Sequence, residues 1–187
     1  LLMDDSEAEV ETVKQEVDLP GTGRIDLLLV DEKGRLTVVE VKLRSNAESR
    51  REVIAQVFDY VSALGEHSVL DLDRITGGAL DAALRSFPGA EEDEKDFTRR
   101  WTACSENLRL GKIRVAVAID SASEDLVRIV RFINDHSDLD VRLVEISKYK
   151  DAEGGRFLVP KLLVHGQTET RVPKPRPRKK AKPEFEE

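Results

Sequence analysis

From Val10 to Leu19 apolar and polar positions alternate, with Val13, Gln15, Val17 and Leu19 on one face and Lys14, Glu16 and Asp18 on the other. A period of two predicts a β-strand. Pro20-Gly21-Thr22-Gly23 then reads as a turn. Two apolar runs follow, Leu27 to Val30 and Leu36 to Val39, separated by the polar, glycine-containing loop Asp31-Glu32-Lys33-Gly34-Arg35. That is a β-hairpin pattern, and with the first strand it makes a three-stranded antiparallel meander. The acidic residues 4–9 are expected as a short helix or a tail. Between Ser49 and Leu64 the spacing changes to helical, with Val53, Ile54, Val57, Val61 and Leu64 on one stripe, Ser45 or Ser49 as cap and Gly65 as terminator. Residues 68–110 are expected as a helical insertion. It holds one or two short helices up to Phe87, a polar break from Pro88 to Glu94 that overlaps the solvated Glu91–Asp96 run, and a helix from Phe97 to Leu110. Ile113 to Ile119 is a continuously apolar strand of the kind buried on both faces. An amphipathic helix from Glu124 to His136, capped by Ser123, and strands at Val141–Ile146 and Phe157–Val164 complete the pattern. A strand–helix–strand order implies a parallel crossover. The expected architecture is therefore α/β, a central mixed sheet flanked by helices over residues 1–170. Residues 171–187, with prolines among basic residues, form an extended or disordered tail.

The hairpin carries the candidate chemistry. If its loop is symmetric about Lys33, Val30 faces Leu36, Leu28 faces Val38, Asp26 faces Glu40 and Arg24 faces Lys42, all on one side of the sheet. A one-residue slip would separate the two acids onto opposite faces. Like charges directly opposed across a ladder are destabilising. At ~4 Å and an effective dielectric of ~20 their repulsion is about 4 kcal/mol. Such a pair persists if a cation sits between the carboxylates, if they share a proton, or if water screens them. With Lys42 two residues beyond Glu40 on the same face, the constellation is a candidate metal-dependent site. Mg²⁺ (or Mn²⁺) favours carboxylates together with water and phosphate oxygens, and the Val41 carbonyl is placed to join Asp26 and Glu40 as a ligand. A bound ion acidifies a water and neutralises charge on a phosphoryl group. Lys42 would orient that water or stabilise the pentavalent phosphate as a point charge. Arg24, Arg44 and Arg50 flank the site and are candidates for phosphate contacts.

Bulk properties narrow the setting. The 187 residues suffice for one domain with a real core. No apolar run approaches the ~20 residues of a membrane span, and Leu1-Leu2-Met3-Asp4-Asp5 lacks the features of a signal peptide. Cys104 is the single cysteine, which rules out an internal disulfide and suits a reducing compartment; the expected location is cytoplasmic, with no membrane partner. The net charge of −7 conceals an asymmetry: residues 171–187 hold seven Lys/Arg and three Glu, leaving 23 basic and 34 acidic residues elsewhere. An acidic body disfavours tight passive binding to DNA. It is compatible with an enzyme whose acids hold metal. His67, His136 and His165 are scattered and are not expected to be catalytic.

Asp26, thirteen intervening residues and then Glu40-Val41-Lys42 resemble the D…(D/E)xK signature of the PD-(D/E)xK nuclease superfamily. Gln56-Val57-Phe58-Asp59-Tyr60 is similar to the QxxxY element of its RecB-like and NucS-like branches, and residues four apart share a helix face. The resemblance is close over residues 9–64 and extends in element order to about residue 165. It implies a restriction-endonuclease-like core and Mg²⁺-dependent hydrolysis of DNA phosphodiesters, with Asp26, Glu40, Lys42, Gln56 and Tyr60 as the catalytic set. It also implies an upstream metal-binding glutamate, for which Glu7, Glu9 and Glu16 are the candidates here. The alternative expectation is a nuclease-fold module, catalytically weak or inactive, that binds nucleic acid or a protein partner. Cleavage of both strands of a duplex would favour a symmetric homodimer.

Overall fold

The computed structural model describes residues 9–42, 49–89, 93–151 and 154–166, with the side chains of residues 49–51 excepted. The elements run β1 (Val10–Leu19), β2 (Gly23–Asp31), β3 (Leu36–Lys42), α1 (Ser49–Glu66), α2 (Val69–Thr76), α3 (Ala79–Ser86), α4 (Glu94–Arg109), β4 (Arg114–Ile119), α5 (Glu124–His136), β5 (Asp140–Lys150) and β6 (Arg156–Val164). The six strands form one sheet in chain order. β1, β2 and β3 are antiparallel neighbours, β3, β4 and β5 are parallel, and β6 returns antiparallel to β5. The protein is thus an α/β fold with a mixed sheet and helices packed against it, as the alternation of periods predicts.

Two apolar clusters hold the layers together. In one, Leu28, Val30, Leu36 and Val38 of the hairpin meet α2, α3, α4 and the second half of α1. In the other, Val115, Val117 and Ile119 of β4 and Val141 and Leu143 of β5 meet α5 and the first half of α1. Val38 pairs with Val115, and Val115 with Val141, so both clusters lie on the same face of the sheet. Helix α1 spans both, which places it over the β3–β4 seam. Ser123 caps α5 as expected, its hydroxyl accepting from the Leu126 amide.

Several boundaries move. Helix α1 continues through Gly65 to Glu66. The fully buried Leu64 anchors its last turn to the core, which outweighs the weak helix propensity of a single glycine. Helix α4 starts at Glu94 with Asp93 as N-cap, so Glu94 and Asp96 belong to a first turn rather than to a solvated loop. β5 runs four residues past Ile146 because β6 pairs with it along that length. The simple alternation of β1 also fails. Val13, Val17 and Leu19 are buried but Gln15 is exposed. A bulge lies between Thr12 and Lys14, and Glu16 adopts φ 50°. Ser45 and the tail of residues 171–187 lie outside the described residues.

At the closed end of the hairpin the turn is locked. The Asp31 carboxylate accepts from the Lys33 and Arg35 amides at 3.0 and 2.8 Å. Gly34, at φ 71°, lies so close to α4 that a Cβ there would stand 2.6 Å from the Cys104 amide nitrogen. Beside this turn is a buried charge network that sequence reasoning did not anticipate. Asp140 is paired with Arg35 at 3.1 Å and with Arg114 at 3.0 Å, and Arg142 approaches it at 3.6 Å. Arg114 also reaches toward Asp31 at 3.9 Å.

Candidate functional site

The ladder between β2 and β3 pairs Val30 with Leu36, Leu29 with Thr37, Leu28 with Val38 and Leu27 with Val39, the register expected from a loop symmetric about Lys33. The next positions are Asp26 and Glu40. Here the Asp26 carboxylate reaches across the strands, and its Oδ2 accepts a 2.7 Å hydrogen bond from the Val41 amide. Val41 therefore contributes its N–H to the site by tethering Asp26.

Glu40 lies in the row with Val117, beneath α1 and between the two apolar clusters. Its side chain is 2% exposed. Oε1 accepts an ion pair from the Lys42 ammonium at 2.7 Å, and Oε2 is buried without a hydrogen-bond partner. Burial holds the Glu40 carboxyl above the usual range; the Lys42 hydrogen bond opposes this and the Asp26 charge adds to it. An orphaned buried oxygen on a desolvated carboxylate is costly unless a cation or proton meets it. Asp26 and Glu40, with water and a substrate oxygen, fit a Mg²⁺ ion, which retains several waters and needs few protein ligands.

The neighbouring positions divide. Arg24 does not share the Lys42 face. Ile25, Leu28 and Val30 are all fully buried, so the alternation of β2 changes phase between Ile25 and Leu28. The Arg24 guanidinium turns to β1, bonding Asp18 at 2.7 Å and approaching Glu16 at 3.7 Å. Glu16 stands between the Gln15–Leu27 and Val17–Ile25 pairs, opposite Asp26, but its carboxylate is engaged by Arg24. Glu9 is not brought to the site: its carbonyl accepts from the Glu32 amide at the closed end of the hairpin, just past the far end of β2 from Asp26. Among the described residues no third acid, His or Cys completes a metal-binding group. Arg44 and Glu7 lie outside the described residues, as does the side chain of Arg50.

Tyr60 is 3% exposed and belongs to the core. Its hydroxyl donates to the Arg24 carbonyl at 2.7 Å and lies 3.5 Å from Gln56 Nε2. Burial, then the charges of Glu40 and Asp26, raise its pKa, so it stays a neutral donor. Gly23, at φ 149°, lies against the ring, where a Cβ would make ordinary contact at 3.5 Å. Tyr60 thus clamps the strand just before Asp26 and acts as a positioning residue. Tyr60→Phe should cost about 1 kcal/mol in urea unfolding, the worth of one hydrogen bond. An unchanged midpoint would mean that the clamp contributes nothing.

Two further acids sit at the carboxyl ends of the parallel strands. Asp120 Oδ1, just past β4, is buried without a hydrogen-bond partner. Glu145 Oε2 accepts from the Ala122 amide at 3.2 Å. Ligands of open α/β sheets gather at this edge, but neither acid carries a spacing motif, so sequence reasoning passed over both. No family model, curated protein or solved structure matches the chain. Among the described residues no helix is long and apolar enough to cross a membrane.

Proposed function

We propose that the chain is a Mg²⁺-dependent nuclease with a restriction-endonuclease-like core of the PD-(D/E)xK type, acting on DNA phosphodiesters. The observation that carries this reading is the buried, partnerless Oε2 of Glu40, one position past the last paired rung of the hairpin, within the field of the Asp26 carboxylate and beside the Lys42 ammonium. Asp26 and Glu40 would hold the ion, which when bound lowers the pKa of a water and neutralises charge on the phosphate. Val41 fixes the Asp26 carboxylate through its amide. Lys42 supplies a mobile positive charge that can pass from Glu40 to the phosphate under attack. Tyr60 holds the strand that carries Asp26.

Metal binding tests the reading directly. Glu40 must ionise to ligate, and the fold favours its neutral form. Its contribution to stability is complete below the ordinary carboxylate pKa and is lost as pH rises through the raised one. Metal affinity therefore rises with pH across that same window and proton release accompanies binding. Mn²⁺ titrated calorimetrically at several pH values should show both effects, and Glu40→Gln should eliminate binding. Equal affinity in the variant would place any ion elsewhere.

A second reading is a nuclease-fold module that binds without cutting. It is supported by the closed Lys42–Glu40 ion pair and by the lack of a third acid among the described residues. It predicts nucleic-acid binding in the absence of metal and no cleavage in its presence.

A further inference from the structure

The β5–β6 hairpin does more than complete the sheet. β4 ends at Ile119, whose partner on β5 is Glu145. From Ile146 to Lys150, β5 pairs only with β6, as a two-stranded arm beyond the carboxyl edge of the parallel strands. Within this arm Tyr149 and Phe157 are cross-strand partners. Their rings stack at 5.7 Å between centroids and 15° between planes, yet they are 51% and 48% exposed. Lys161, paired with Glu145, is exposed on the same face, and Lys148, Lys150 and Arg156 are exposed on the reverse of the arm. The acid at the tip, Asp151, is turned into the loop, where it accepts from the Gly155 amide at 2.6 Å.

Strand alternation puts Tyr149 on the same face as Leu143 and Glu145. Through the paired rows Lys42–Ile119 and Ile119–Glu145, that is the face of Glu40 and Lys42. Two strand spacings across and four residues along separate Tyr149 from Lys42, roughly 16 Å on the diagonal.

We infer that this arm is a stacking platform for single-stranded nucleic acid, delivering the strand toward the Asp26/Glu40/Lys42 site. The inference deepens the nuclease reading and rests on it for the fate of the bound strand; binding itself requires no cleavage. Exposed aromatic planes suit unpaired bases, because every base has a π-face, and the cations on the reverse of so narrow a two-stranded arm supply positive charge for the phosphates that pass its edge. In a duplex those faces are already stacked on one another. A second copy of the chain is a poorer occupant: it would bring two cationic arms together, and Pro160 removes a donor from the β6 edge.

The test uses the full chain in EDTA, with fluorescence anisotropy on a labelled oligothymidine of about fifteen nucleotides and on a duplex of equal length. Single-stranded DNA should bind more tightly than duplex. Tyr149→Ala combined with Phe157→Ala should weaken single-strand binding about ten-fold or more, with an unchanged melting temperature. Tyr149→Phe should retain it. Lys148→Ala with Lys150→Ala should lower the log–log salt slope by about 1.4. Unaltered single-strand affinity in the aromatic double variant overturns the inference, as does equal affinity for duplex. Loss of a dimer with unchanged DNA binding would overturn it in favour of self-association. Aromatic-dependent binding without cleavage in any divalent ion would leave the platform standing and remove the nuclease reading. Cleavage that is indifferent to the arm would do the reverse.

Discussion

Lys42→Ala should reduce Mg²⁺-dependent DNA cleavage by about 10²- to 10³-fold while leaving the chain folded. A positioned charge on a developing oxyanion is worth roughly 3–4 kcal/mol, and each 1.36 kcal/mol is ten-fold in rate. Lys42 is partly exposed, its side chain at 31%, so its removal opens no core cavity. It does leave Glu40 without its partner, in a position already desolvated. Lys42→Ala should therefore raise the Glu40 pKa further and shift metal binding to higher pH. Asp26→Asn and Glu40→Gln should abolish cleavage by a different route, loss of the ion, and excess Mn²⁺ should rescue them at most weakly. The assay is single-turnover cleavage of labelled single- and double-stranded oligonucleotides with Mg²⁺ or Mn²⁺. Wild-type rates in Lys42→Ala would remove the mechanism, and wild-type rates in all three variants would remove the site.

The second large effect is on stability, at the opposite end of the sheet. Asp140→Asn should cost about 3–5 kcal/mol, the usual consequence of removing one partner from a buried ion network. Asp140 is 1% exposed and bonds the guanidinium groups of Arg35 and Arg114, with Arg142 at 3.6 Å. Without it, Arg35 and Arg114 would lose their closest carboxylate and be left beside Asp31, whose own carboxyl burial pushes toward the neutral form. Domains of this size are stable by only about 5–15 kcal/mol, so the loss is a large fraction of the total. Urea unfolding followed by far-UV circular dichroism would read it as a fall in midpoint at constant slope. A change below about 1 kcal/mol would show that water, rather than Asp140, satisfies these arginines. The aliphatic replacement of the whole network is a different experiment, which similar networks tolerate. This contrast separates a strong local pairing from net stabilisation.

Much of the fold follows from local pattern. The hairpin register was readable because a five-residue loop leaves few ways to keep Leu28, Val30, Leu36 and Val38 on one side, and each apolar pair reinforces the choice. The α5 boundaries were readable because a cap and a 3.6-residue period coincide there. Other features were less legible because they depend on distant neighbours. The change of phase in β2 cannot be seen in Arg24-Ile25-Asp26 alone; it accompanies the left-handed Glu16 on β1, and Tyr60 from α1 holds the Arg24 carbonyl beside it. The buried network could be suspected only from charges lodged in apolar strands, Arg114 at the start of β4 and Arg142 within β5. The pairing of Arg114 with Asp140 spans 26 residues, and that of Arg35 with Asp140 spans more.

What the sequence determined unaided is the identity and order of the candidate groups, two acids one strand apart and a lysine two residues on, because strand periodicity and a short loop are local constraints. Tertiary structure decided how those groups behave. It buried Glu40 under α1 with one oxygen unmatched, turned Arg24 and Glu16 toward each other, and made Tyr60 a buried clamp on the strand that carries Asp26. Desolvation and pairing depend on which helix lands over which strand, and no short window of residues contains that information.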